Sequence, residues 1–503
     1  MTSDQTGDVG LNLLLCDADE RKESLRNEIA RDSLSTQQSA DQRAKPEYLK
    51  NAGGDKNSLE DQGWAVIIPE GDEGKRLLDL VDPLIQKRKE ELGSWGPLRI
   101  YEAPAKCSGE EAIAWRKRVF ATGQTTDDEI PLYQLILGNL DQVALSIQQV
   151  QSSDGYVGRL AFDKEDDYRA YVEKLLRHED ADPPTQAGRS LFFTVHDGTR
   201  ATRSGYDSLV TPGMQLAQRK VMERKLPARQ LLDLGDKTIP TRDELLAQVS
   251  ESDPTVLFTL SHGAGAPGSG WKSAERQRRE QGAMSFGSDG LLYGSDIADK
   301  TFLPGGVWFM LACYGAGTPD RSAYKHWLEA LSQLGQYRDS AATVLKGLVV
   351  EGGRPFVAAL PQAALSNPNG PLAFVGHVDL AWTYSFREFD AESAVNRPGK
   401  FVQLVNYALA GNRCGMMMEP IARAVDATNE ELTMLYDGEA QRGSIDPNKQ
   451  AKRAHRWMLR NDLGAYILLG DPAARLRVAP KKAYETAAKT GGDKRTTAAG
   501  ASK

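Results

Sequence analysis

Residues 255–268, "TVLFTLSHGAGAPG", run from an unbroken apolar stretch through a histidine into glycine, and residues 306–317, "GVWFMLACYGAG", do the same through a cysteine. A short apolar run rich in β-branched and aromatic side chains reads as a strand. One without polar alternation belongs to a sheet covered on both faces, which is the habit of parallel sheets. In such sheets ligands gather beyond the carboxyl ends of the strands, where His262 and Cys313 fall. The chain holds six histidines and four cysteines in 503 residues, so two of these side chains at matching strand ends is an uncommon coincidence.

Working outward, the same grammar repeats. "WAVIIP" (64–69) precedes an amphipathic stretch, "PLRIYEAP" and "LYQLILGNL" supply further strands, and "DKEDDYRAYVEKLLRHED" (163–180) carries acids in its first turn and bases in its last, as a helix does. "SLFFTV" (190–195) and "ARQLLDL" read as strands, and "TRDELLAQVSE" as a helix opened by a threonine cap. The predicted fold is α/β, a mostly parallel sheet flanked by helices and preceded by a smaller α/β subdomain. Four parts are expected: a flexible polar leader (1–61), the smaller subdomain (62–183), a main domain (187–480) and a disordered tail (481–503), with a boundary near residue 184 in "ADPPTQAG".

Composition narrows the function. A net charge of −7 gives no general attraction to nucleic acid or to anionic membranes, so neither is an expected partner. The four cysteines form no C-x-x-C pair and the histidines show no H-E-x-x-H spacing, so no disulfide framework, metal or other cofactor is expected. "LNLLL" near the start is too short for a signal-peptide core and follows an acid, and no apolar run approaches the ~18 residues of a membrane span. A cytoplasmic location is the expectation.

A thiol attacks as thiolate, and its ordinary pKa of ~8.5 leaves little of that form at neutral pH, so a neighbouring imidazole is useful to take the proton. His262 and Cys313 lie 51 positions apart, room for one crossover between two strands. Glycine after each lets a substrate backbone approach, and paired N–H donors can then face a developing oxyanion. Taken singly, Cys313 reads equally as a small core residue and His262 as a satisfied loop residue.

"LSHGAG" and "LACYGAG" resemble the His-Gly and Ala-Cys elements of the caspase-like (clan CD) cysteine peptidases. "YQLILGNLDQV", "YVGRLAFDKEDDYRAYVEKLLRHE" and "YILLGDPAARLR" resemble segments of the gingipain family in particular, in the same order over roughly residues 61–478. The resemblance implies a caspase-like domain and a cysteine endopeptidase cutting protein or peptide substrates after Arg or Lys. It implies Cys313 as nucleophile, His262 as general acid/base, and the N–H groups of Gly263 and Cys313 as the oxyanion site. Asp197 in "VHDG" looks like an acid beside the histidine, Asp207 in "SGYDSL" like the acid at the base of the S1 pocket, and Trp382 like an aromatic wall against the P1 side chain. Asp197 equally suits a turn, Asp207 a helix cap and Trp382 the core. The chain departs from the family in lacking a secretion signal and around the nucleophile.

Other features carry less. His196 and His377 rank below His262, and "GAGAPGSG" lacks the lysine of a phosphate loop. The stretch 270–290 holds Lys272, Arg276, Arg278 and Arg279 on one expected helix, either a solvated face or an element for gating or self-cleavage. Two rival functions stay open: a caspase-like regulatory or binding module without turnover, and an acyl-transferring or amide-hydrolysing enzyme acting on a small molecule.

Overall fold

The structure, a computed structural model, describes residues 10–25, 27–30, 33, 54–120, 130–182, 184–235, 240–348, 353–389, 393–442 and 447–479. In chain order the strands are β1 Leu15–Asp17, β2 Trp64–Pro69, β3 Arg99–Ala103, β4 Tyr133–Leu137, β5 Tyr156–Leu160, β6 Arg189–Thr194, β7 Gln230–Leu234, β8 Thr255–Leu260 and β9 Gly263–Gly265. They continue as β10 Met284–Ser285, β11 Leu291–Leu292, β12 Val307–Leu311, β13 Gly317–Thr318, β14 Phe356–Val357, β15 Ala373–His377, β16 Arg387–Phe389, β17 Ala394–Asn396 and β18 Tyr466–Leu469.

Ten of these form one sheet in the order β3-β2-β4-β5-β18-β15-β12-β8-β6-β7. Every pairing is parallel except β15 with β18, where the sense reverses. The expected boundary near residue 184 falls between the helix Glu165–Asp180 and β6, and the sheet runs across it. β18, from the far end of the chain, is the seam: it lies parallel to β5 and antiparallel to β15, so the strands of the two halves point in opposite directions.

The continuous apolar strands are covered on both sides, as their composition requires. Phe258 of β8 stacks on Phe309 of β12 with centroids 4.6 Å apart, and Phe401 from the helix Gly399–Leu409 meets both edge-on. Trp308 packs instead against Phe302 and Phe374. Among the described residues no helix is long and apolar enough to cross a membrane.

The expectation of a flexible polar leader is corrected for its first described part. Leu11, Leu13, Leu14 and Leu15 are at most 1% exposed, and β1 pairs in parallel with β9. Four leucines within five residues bury enough apolar surface to order a polar neighbourhood. Most of residues 31–53, and the tail 481–503, lie outside the described residues.

Candidate active site

The β8–β12 register pairs Leu260 with Leu311, so two steps further His262 and Cys313 leave adjacent parallel strands side by side. The strands are then so close that a Cβ on Gly263 would stand 1.9 Å from the carbonyl oxygen of Cys313. Only glycine leaves room for that approach. The N–H of Gly263 and the N–H of Cys313 converge on one acceptor, the carbonyl oxygen of Leu14, at 2.9 and 3.1 Å.

His262 is oriented from its far side. Its Nε2 lies 2.9 Å from Thr199 Oγ1 and 3.5 Å from Asp197 Oδ2. Asp197 is held in turn by the N–H of Thr199 at 3.1 Å and the hydroxyl of Thr202 at 2.8 Å, at the opening of the helix Arg200–Gly205. A carboxylate beside Nε2 places the ring proton there, leaving Nδ1 as the basic nitrogen. Nδ1 is buried and has no hydrogen-bond partner among the described residues. Burial pulls the pKa of the imidazole down, opposed by the Asp197 charge and the backbone of Leu14.

Cys313 Sγ accepts from the N–H of Ala381 at 3.2 Å and sits 3.6 Å from the Ala381 carbonyl. Burial pushes its thiol well above the ordinary range; the Ala381 N–H works against this, while the Asp379 and Asp462 charges add to it. Both shifts favour the uncharged forms, thiol and neutral imidazole.

The loop after β15 that supplies Ala381 is tied down by acids. Asp379 accepts from the N–H groups of Ala323 and Leu380, both at 2.8 Å, and its own carbonyl receives the Tyr314 N–H. Its backbone φ is 124° and that of Tyr314 is 57°, so strained conformations flank the thiol on both sides. Asp462 accepts from the N–H groups of Trp382 and Ser385 and lies 3.3 Å from His377.

Of the residues singled out by sequence, the fold brings together His262, Gly263, Cys313 and Asp197. Trp382 pairs through its backbone with Leu13, while its ring packs edge-on against Tyr324 and Trp327. Asp207 is exposed on the π-turn Tyr206–Val210, and no described hydrogen bond or ion pair joins it to the crevice. His196 meets Tyr206 edge-on, and His377 bonds the carbonyls of Asp379 and Asp462. The helix Ala274–Glu280 carries Arg276, which pairs with Asp19 and Glu280. Thr199, Asp379 and Ala381 were not visible from sequence: "GTRAT" gives no sign that a threonine turns towards His262, nor "HVDLAW" that its backbone turns towards Cys313. Among the described residues no group of three or more His, Cys, Asp or Glu side chains is placed to hold a metal ion.

No protein-family model and no curated protein matches the chain. Solved structures similar to it include one described simply as a protease (11% identity, covering 83% of this chain and 78% of that one, TM-score 0.46). A second is the Arg specific cysteine proteinase gingipain R (11%, 84% and 79%, TM-score 0.44). A third is the complex of the Porphyromonas gingivalis RgpB pro- and mature domains (11%, 83% and 80%, TM-score 0.42). All three likenesses lie at 11% identity and below a TM-score of 0.5, and the chemistry belongs to the residues of the crevice itself.

Proposed function

We propose that the protein is a cysteine endopeptidase in which Cys313 is the nucleophile and His262 the general acid/base. One observation supports this above the rest: two backbone N–H groups at the ends of adjacent strands converge on a single peptide carbonyl, next to the thiol and to an imidazole with one nitrogen oriented and the other unpartnered. In that arrangement His262 Nδ1 takes the thiol proton and sulfur bonds to the carbonyl carbon. The oxygen gathers charge between Gly263 and Cys313, and the amine leaves with the proton from His262. Water then adds to the thioester, its proton passing through His262, which frees the carboxylic acid and restores the thiol. Asp197 and Thr199 hold the ring in register for both transfers.

Cleavage after Arg or Lys depends on Asp207 facing the P1 side chain. Because Asp207 is exposed and no hydrogen bond or ion pair among the described residues joins it to the crevice, we propose peptide hydrolysis without a basic-residue requirement. The test is turnover of a mixed peptide pool: Cys313→Ala lowers it by at least about 10³-fold with the melting temperature retained. Equal turnover by the variant removes the proposal. Labelling of Cys313 by a thiol probe without turnover of any peptide favours the binding-module alternative.

A further inference from the structure

The acceptor between Gly263 and Cys313 belongs to the protein's own chain, and its neighbours run through the crevice as a peptide. On one side of the Leu14 carbonyl, the Leu14 N–H donates to the Ala381 carbonyl at 3.4 Å and Leu13 bridges antiparallel to Trp382. On the other, Leu15–Asp17 pairs in parallel with Gly263–Gly265. The path is anchored at both ends. Leu11 pairs with Ile29, while the Asp17 side chain closes a turn by accepting the N–H groups of Asp19 and Glu20, and Asp19 ion-pairs with Arg276.

We propose that the crevice is built for an extended peptide with large aliphatic residues on both sides of the reacting carbonyl, and that Leu11–Asp17 occupies it as an internal ligand with Leu14 at P1 and Leu15 at P1′. The proposal rests on the peptidase reading for its substrate class. The residue whose carbonyl lies between the two N–H groups is by position P1, and Leu14 is fully buried there. The P1′ side is made shallow by glycine: a Cβ on Gly265 would come 2.5 Å from Leu15 Cδ1, and Gly347 stands behind it, where a Cβ would come 3.9 Å from Leu15 Cδ2. The buried carboxylates around the thiol are engaged, Asp197 by Thr199, Thr202 and His262, Asp379 and Asp462 by backbone N–H groups. A leucine there asks for no counter-charge, and these three carboxylates already hold partners that a lysine or arginine would have to displace.

The chain's own ligand makes access conditional. Leu14→Asp puts a charge into an apolar site and releases the segment, so Cys313 labelling by iodoacetamide and hydrolysis of added peptides both rise, each by about tenfold or more. Arg276→Glu, which removes the Asp19 anchor along with the pairing to Glu280, raises both by a smaller factor, and adding Asp19→Arg restores the wild-type level; this pair reports even if Leu14→Asp fails to fold. Matched fluorogenic peptides with Leu, Arg or Lys at P1 complete the experiment. At least tenfold faster cleavage after Leu, dependent on Cys313, is the expected result. Cys313-dependent cleavage that favours Arg or Lys, or labelling and turnover that neither Leu14→Asp nor Arg276→Glu alters, overturns the proposal and leaves the peptidase reading in place. Labelling that rises with no hydrolysis of any peptide keeps the segment as the crevice's ligand and removes the peptidase reading beneath it.

Discussion

The two halves of the sheet use the same strands and helices for different ends. In the first half, β2 to β5, buried polar groups are spent on interlocking the fold. Arg88, fully buried, bonds Asp471 and Glu179, and Asp471 also receives the indole N–H of Trp64. Arg159 bonds Gln148 and the carbonyls of Gly138 and Asn139. In the second half the polar groups beyond β8 and β12 point at a peptide carbonyl and a thiol instead. The difference lies in the residues just past each strand's carboxyl end. β8 and β12 lead into His262-Gly263 and Cys313, whose N–H groups turn out of the ladder, whereas the segment after β18 turns Asp471 back into the core.

Predictions that break or sharpen this contrast begin with Arg88. Arg88→Met leaves Asp471 and Glu179 without their cation and costs about 3–5 kcal/mol in urea unfolding. The folded fraction keeps its turnover per molecule, because the lesion lies in the interlocking half. Asp197→Asn has the opposite signature: turnover falls about 10²-fold, at the low end for loss of a positioned base, with little change in unfolding midpoint. Gly263→Ala crosses the two categories, since its Cβ must displace the Cys313 carbonyl. We expect a loss of about 1–3 kcal/mol in stability together with a lower rate, and an unchanged rate would show that the strands need not approach so closely.

The smallest effect is a pH dependence belonging to the first half. Burial pulls the pKa of His178 from 6.5 down to about 4, with Arg177, Lys174 and Arg477 adding to the shift. Between those values the unfolded chain binds a proton that the folded chain refuses, so this contribution to stability is present above pH 6.5 and is lost as pH falls towards 4. Thermal melts of His178→Phe should show a flatter acid limb than wild type over that window.

Much of this was legible in the sequence, and the misses share a cause. β8 and β12 declared themselves because each is a largely apolar run without alternation that leads within a few residues into glycine, and the matching side chains at their ends gave His262 and Cys313. Asp197 was readable only through its place after β6. The position of β18 between β5 and β15 was not, since "YILL" carries no mark of the two strands it will join, the farther of them beginning at Tyr156. "LNLLL" is too short for a signal-peptide core or a membrane span. A strand's worth of leucine in polar surroundings is equally the signature of a segment that docks into a groove, and only the fold shows the groove. The local setting of Asp207, an acid at an expected helix opening, is the same whether it faces a pocket or water.

The most direct measurement is a mass-resolved digest of a positional peptide library by Leu14→Asp and by Leu14→Asp combined with Cys313→Ala. The account predicts internal cuts clustered after large aliphatic residues with the first protein and none with the second. Identical cuts from both, or no cuts from either while Cys313 of the first is freely labelled, would contradict it.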